Sequence, residues 1–228
     1  MPFSATDERE AVERVTTPNG ELQLSRMEAA GETHYELIMN GVFLMASYNA
    51  PSCVVLTDTV MAGIEQKGHI DLLIGGLGMG FALRRALEYS SLGTVRVVEL
   101  EPKIVEWNRV YLGNQDILDD SRTEVVLGDF HDYVHGNARS YHGIAMDIDN
   151  GPDWIVRPEN KRAYSLSTLQ VLRSRLRPGG VLAIWGHAEY ANYERALERV
   201  FGDVTTHHAT DHEPTGKPLS CVVYAVKS

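Results

Sequence analysis

The chain has 228 residues, 43% of them apolar, and a formal net charge of −10. That length fits one main domain with a small appendage. It holds no run of about 18 apolar residues to cross a membrane, too little positive charge for nucleic acid to be the main partner, and two cysteines, Cys53 and Cys221, that form neither a disulfide framework nor a metal-ligand spacing.

Residues 1–14 read as a mobile or helical lead, with Ser4 to Glu13 free to fold over a site. The polar, acidic start carries no signal-peptide core, which makes the cytoplasm the expected location. Residues 15–53 read as a small antiparallel β unit, with strands at 21–27, 34–39 and 42–46 and Asn40-Gly41 as the hairpin turn. Residues 51–53 read as a loop, and 54–66 as a helix ended by Gly68. From Ile70 strands and helices alternate. The strands fall at 70–75, 94–100, 123–127, 143–148 and 180–185, and the helices at 79–90, 102–112, 163–176 and 189–201. The strands are continuous apolar runs, the pattern of strands covered on both faces. Two strand-like pieces, 203–208 and 219–226, close the chain as an antiparallel hairpin. His207, His208 and His212 read as a solvated loop, so no metal site is predicted.

The chemistry begins at Gly75-Gly-Leu-Gly-Met-Gly80, where a buried strand empties into a glycine turn and a helix. Such a turn brings backbone close to a ligand. Glu99 ends the next strand, placed to accept from both ribose hydroxyls of a nucleoside. Leu100 follows it. Asp129 ends the third strand, where it can accept from an adenine amino group while Phe130 packs on the ring. Asp147 and Asp149 end the fourth. The glycine spacing departs from G-x-G-x-x-G, which argues against a dinucleotide. An NAD-dependent oxidoreductase and a nucleoside-binding protein without catalysis remain as alternatives.

Acids at the carboxyl ends of successive strands converge on one crevice. Over residues 54–228 this layout resembles the class I S-adenosylmethionine-dependent transferase fold: a Rossmann-like, mostly parallel sheet with a C-terminal antiparallel hairpin, here preceded by the small N-terminal β unit. A narrower resemblance rests on Gly75 to Gly80, Val98-Glu-Leu-Glu-Pro-Lys-Ile-Val105, Gly128-Asp129, Asp147, Leu176-Arg-Pro-Gly-Gly-Val-Leu-Ala183 and the Met39-Asn-Gly-Val42 hairpin. These resemble the spermidine synthase family, whose members move an aminopropyl group from decarboxylated S-adenosylmethionine to an amine. The resemblance implies donor binding by Gly75, Gly76, Gly78, Gly80, Glu99, Leu100, Asp129, Phe130 and Asp147. It makes Asp147 the acid facing the attacking amine, with Asp149 second. It also implies a homodimer, although so short a β unit is equally compatible with a monomer. Asn150, Trp154, Tyr164 and His187 are the candidates for lining the acceptor site, with the Trp154 ring suited to a cation.

The chain departs from that family at several positions. The acid of the family's glycine loop, which holds the cationic tail of the donor, falls on Gly78. The second acid of the motif after the fourth strand falls on Asn150 or shifts to Asp149, the family glutamine of the β unit matches Leu44, and the Tyr-His pair has no counterpart near Leu56-Thr57-Asp58. A glycine at 78 with free backbone N–H groups tolerates a carboxylate. The expected donor is therefore intact S-adenosylmethionine and the expected reaction methyl transfer to a small, cationic amine. Aminopropyl transfer from the decarboxylated donor is the alternative.

Overall fold

The computed structural model describes residues 8–29, 31–64 and 68–228. Of the N-terminal lead, residues 1–7 lie outside the described residues, as do 65–67 at the end of the expected helix 54–66. No helix among the described residues is long and apolar enough to cross a membrane.

The N-terminal unit is a four-stranded antiparallel sheet in the order β1-β2-β3-β4: β1 (Arg9–Thr17), β2 (Gly20–Ala29), β3 (Glu32–Met39) and β4 (Val42–Ala46). Its first strand was expected to be lead. The segment reads REAVERVTT, with no clean alternation, and it pairs only with β2. The β3–β4 turn is the predicted one, with Asn40 and Gly41 both at positive φ. The unit docks on the main domain where the Trp107 indole donates to Glu13 Oε2 at 2.8 Å and Lys103 pairs with Glu13 at 2.9 Å.

Helix α1 (Pro51–Gly63) connects the two parts. It begins three residues before the expected helix, because Pro51 serves as a first-turn residue and not as a breaker. This places Ser52 and Cys53 in its first turn.

The main sheet has seven strands in the order β10-β11-β9-β8-β5-β6-β7. They are β5 (Ile70–Gly75), β6 (Leu92–Glu99), β7 (Thr123–Leu127), β8 (Tyr141–Met146), β9 (Leu176–Gly186), β10 (Val204–His212) and β11 (Pro218–Lys227). The first five are parallel where they pair; β11 and β10 run antiparallel. Every residue of β5 and of β8 is buried, as their apolar runs predict. Pro178-Gly-Gly180, expected as a break, lies inside β9, where the register with β8 shifts. Histidines 207, 208 and 212 belong to β10 and not to a loop.

Helices α2 (Phe81–Leu87), α3 (Pro102–Val110) and the short α4 (Gln115–Leu118) share one apolar layer with α1. On the other face lie α5 (Phe130–Gly136), α6 (Leu166–Arg175) and α7 (Ala191–Phe201). Helix α5 was not anticipated, being short and rich in His and Asp. Helix α6 starts at Leu166, because Ser165 caps it by accepting from the Thr168 N–H, and a 3-10 helix, Pro158–Tyr164, fills the preceding residues. Strand order reverses around β5, and the crevice opens at the carboxyl ends of β5 and β8.

Candidate active site

A cavity of about 330 Å³ occupies that crevice. One end is built by the glycine turn. Gly76 has φ 92°, and a Cβ there would sit 2.0 Å from the Asp147 carbonyl oxygen, so only glycine permits β5 and β8 to approach this closely. Gly75 makes room for the Phe130 ring, and Gly80, at φ 79°, opens α2 beside Asn108 and Asn114. Gly76 and Gly78 line the cavity, whereas Gly75 and Gly80 serve the packing around it.

The amides of the turn are already engaged. The Gly76 N–H donates to Val98 O and the Gly80 N–H to Leu77 O. The Leu77 N–H donates to Glu99 Oε2 at 2.8 Å, and the Gly78 amide also faces that carboxylate. The Met79 N–H points to Met45 Sδ at 3.2 Å. The same sulfur would lie 2.9 Å from a Cβ at position 78. Met45 of β4 thus occupies the space that a side chain at 78 would need. Around position 78 the Leu77 and Met79 N–H groups are thus engaged, and the Gly78 N–H faces Glu99.

Glu99 is buried and braces the turn, its second oxygen accepting from the Glu101 N–H at 2.8 Å. Burial raises its pKa, against the pull of these amides. Leu100 and Phe130 line the cavity beside it. Asp129 is more committed than expected. It caps α5 through the Asp132 N–H and pairs with Arg157 and Arg162, each at 3.1 Å. The ligand atoms of Asp129, His131 and Asp132 also lie within 4.8 Å of one another, but these arginines already face the aspartates.

Asp147, just after β8, lines the cavity. Burial pushes its carboxyl up to about 7. The Cys53 thiol, donating at 3.6 Å, opposes that shift, and the negative charge of Asp211 adds to it. Asp149 is occupied. It accepts from the backbone N–H groups of Asn150, Val156 and Arg157 and from Asn160 Nδ2, and so holds the loop over residues 149–160. These bonds make Asp149, expected from sequence as a second catalytic acid, an organiser of that loop. Asn150 lines the cavity and its carbonyl fixes His187, whose Nδ1 lies 3.0 Å away. Trp154, 46% exposed, lines the mouth edge-on to His187 with ring centres 4.6 Å apart. Tyr164 does not join them. It is buried in the core, edge-on to Tyr193.

Residues 55–201 match the spermine/spermidine synthase domain. The chain belongs to the spermine/spermidine synthase family. Polyamine aminopropyltransferase 2 of Pseudomonas aeruginosa is 33% identical over 153 residues, which are 61% of this chain and 42% of that protein. Polyamine aminopropyltransferase 2 of Hyperthermus butylicus is 30% identical over 214 residues, 81% of this chain and 67% of that protein. The polyamine aminopropyltransferase of Sulfolobus acidocaldarius is 29% identical over 129 residues, and the chain spans 41% of its length. The chain thus covers about two fifths of some of the curated relatives it matches. Among solved structures, a spermidine synthase in complex with the transition state analogue AdoDATO superposes with a TM-score of 0.78 at 16% identity, covering 95% of this chain and 73% of that one. The spermidine synthase of Thermotoga maritima gives 0.77 at the same identity, covering 95% and 72%. These two establish the fold.

Within this family fold, several cavity residues escaped the sequence. Asn49, Ser52, Trp185, Asp211 and Glu213 all line the cavity. Ser52 was hidden by reading Pro51 as a loop. Asp211 was hidden by ending the strand at 208. Carrying that strand to its true end at His212 would have put an acid at a strand terminus beside the other three.

Proposed function

We propose that this chain is an aminopropyltransferase that takes decarboxylated S-adenosylmethionine as donor and a small cationic amine as acceptor. The observation that carries the reading is the charge of the cavity. Glu99, Glu101, Asp129, Asp147, Asp149, Glu159, Asp211 and Glu213 line it, against Arg157 as the one arginine among the described residues, and Arg157 is held by Asp129. A donor carboxylate would meet neither a free cation nor a free turn amide, whereas a bare ammonium tail meets acids. Intact S-adenosylmethionine is thereby disfavoured. The expectation of methyl transfer rested on unengaged amides around Gly78; the Leu77 and Met79 amides there are taken by Glu99 and Met45, and the Gly78 amide faces Glu99. The names of the curated relatives support the same reading.

The chemistry asks little covalent work of the protein. The acceptor nitrogen attacks the aminopropyl carbon attached to the sulfonium. A C–N bond forms as the C–S bond breaks, and the electron pair stays on sulfur as a neutral thioether. The acceptor must first lose a proton, because an ammonium has no lone pair. Asp147, with a pKa of about 7, is poised to take it near neutrality. Alignment of the two substrates between the glycine turn and α1 supplies the remaining advantage.

The test is turnover. Purified protein with decarboxylated S-adenosylmethionine and 1,4-diaminobutane should yield methylthioadenosine and an aminopropylated product by mass spectrometry, with none formed from intact donor. Methyl transfer from the intact donor, without aminopropyl transfer, would overturn the reading.

A further inference from the structure

A second cavity lies at the other pole of the main sheet. The crevice opens at the carboxyl ends of the parallel strands. Thr94 of β6, Thr123 at the start of β7 and Tyr141 at the start of β8 instead surround a space of about 110 Å³ toward the amino ends. Arg96, further along β6, lines it as well, as do Arg122 and Arg139. The two cavities share no lining residue.

Three arginines around one small space run against a chain of net charge −10. Two of them are paired. Arg96 meets Glu124, its register partner on β7, and Arg122 meets Asp120 at 2.8 Å. Arg139 is exposed and has no carboxylate partner among the described residues. Its guanidinium lies over the Tyr141 ring, 5.9 Å from the centroid. The wall therefore carries three guanidinium groups and one carboxylate, Glu124, while Asp120 stands outside it.

The hydrogen bonds are unbalanced in the same sense. Arg96 Nη1 donates to the hydroxyls of Tyr133 and Tyr141, at 3.2 and 3.4 Å. Those two hydroxyls lie 2.6 Å apart, so one donates to the other and the second O–H is left without an acceptor among the described residues. The Arg96 Nε–H and the Thr123 hydroxyl are buried and have no partner there either. Buried polar groups ordinarily find partners. The groups left over here are a guanidinium N–H, a phenol and a hydroxyl, all of which can donate, so a ligand rich in acceptor oxygens is what completes the cavity.

We propose that this cavity binds a phosphate group, either as inorganic phosphate or on a small phosphomonoester. A tetrahedral anion presents oxygens in several directions, which suits donors arriving from β6, β7 and β8, whereas a carboxylate presents two in one plane. Arg139 supplies the unpaired charge. Glu124, with a side chain 57% exposed, competes with the ligand for Arg96 and yields it by turning to solvent. The site is independent of the transfer reading above.

Calorimetry with inorganic phosphate on the intact chain, at fixed ionic strength, tests this. One phosphate should bind per chain with a Kd of about 1 mM or tighter, and acetate at least about tenfold more weakly. Arg139→Gln changes an exposed residue and should weaken phosphate about tenfold. Glu124→Gln removes the competing carboxylate and should tighten it severalfold. Arg109→Gln makes the same change of charge on α3, away from the cavity, and should leave phosphate binding unaltered. Glycerol phosphate that binds as tightly as inorganic phosphate shows a cavity open to an ester, and binding of inorganic phosphate alone confines it to the free ion. No saturable phosphate binding, equal affinity for acetate, or an equal loss in Arg109→Gln and Arg139→Gln would overturn the proposal.

Discussion

The two ends of the cavity are made differently. The donor end is local: a glycine turn, the carboxylate that braces it and the aromatic that packs on it come from β5, β6 and the start of α5. The acceptor end is assembled from far apart, with Ser52 and Cys53 on α1, Asp147 after β8, Trp185 on β9 and Asp211 on β10. At the donor end the backbone does the holding and the side chains are saturated. At the proposed acceptor end, among the described residues, Asp147 accepts from the Cys53 thiol and Asp211 from Ser52 and the Cys221 thiol. A carboxylate saturated by its own amides, as Glu99 is, serves shape, and one left with a single thiol donor among the described residues, as Asp147 is, stays open to a positive ligand.

The largest expected effect tests the acceptor end. Asp147→Asn should lower kcat/KM by about 10² to 10⁴-fold, the usual range for a general base, with wild-type activity rising as pH passes through about 7. Stability should move the other way. The native carboxyl, with a pKa of about 7, binds a proton that the unfolded chain releases near 4, so wild-type stability falls as pH rises between those values. Melting temperatures of Asp147→Asn should therefore gain on wild type from pH 5 to pH 8. A variant with near-normal activity would break the contrast at its centre.

Next comes the donor end. Gly76→Ala combines a positive φ with a Cβ 2.0 Å from a backbone oxygen, and should cost about 3 kcal/mol by chemical denaturation. Asp149→Ala sharpens the division of roles. Loosening the 149–160 loop should lower kcat/KM about tenfold while the pH midpoint set by Asp147 stays near 7. A shifted midpoint would make Asp149 part of the base. The smallest effect belongs to Gly78→Ala, about 1–2 kcal/mol from its left-handed backbone. Met45→Ala in the same chain should remove the added steric part of that cost.

The same contrast explains what was legible in the sequence. The parallel sheet could be read because β5 and β8 carry the apolar stretches Leu72-Leu-Ile74 and Ile144-Ala-Met146, and the β3–β4 hairpin because Asn-Gly has few other uses. Strand β1 could not, since an edge strand covered on one side carries charges that blur its period. The donor end was legible because its glycine turn, Glu99 and Asp129 each follow or end a successive strand of the parallel sheet. Asp211 and Trp185 were not, because only the pairing of β9, β11 and β10 brings them beside Asp147. Asp129 and Asp149 were seen as acids in the right place, but arginines and backbone amides beyond the motif had already engaged them.

The proposed donor for this cavity carries a bare ammonium tail. Calorimetric titration of the chain with decarboxylated and intact S-adenosylmethionine, side by side, tests it most directly. The decarboxylated donor should bind at least about tenfold tighter, because the carboxylate of the intact one meets acids and engaged amides. Equal or tighter binding of the intact donor would contradict the account.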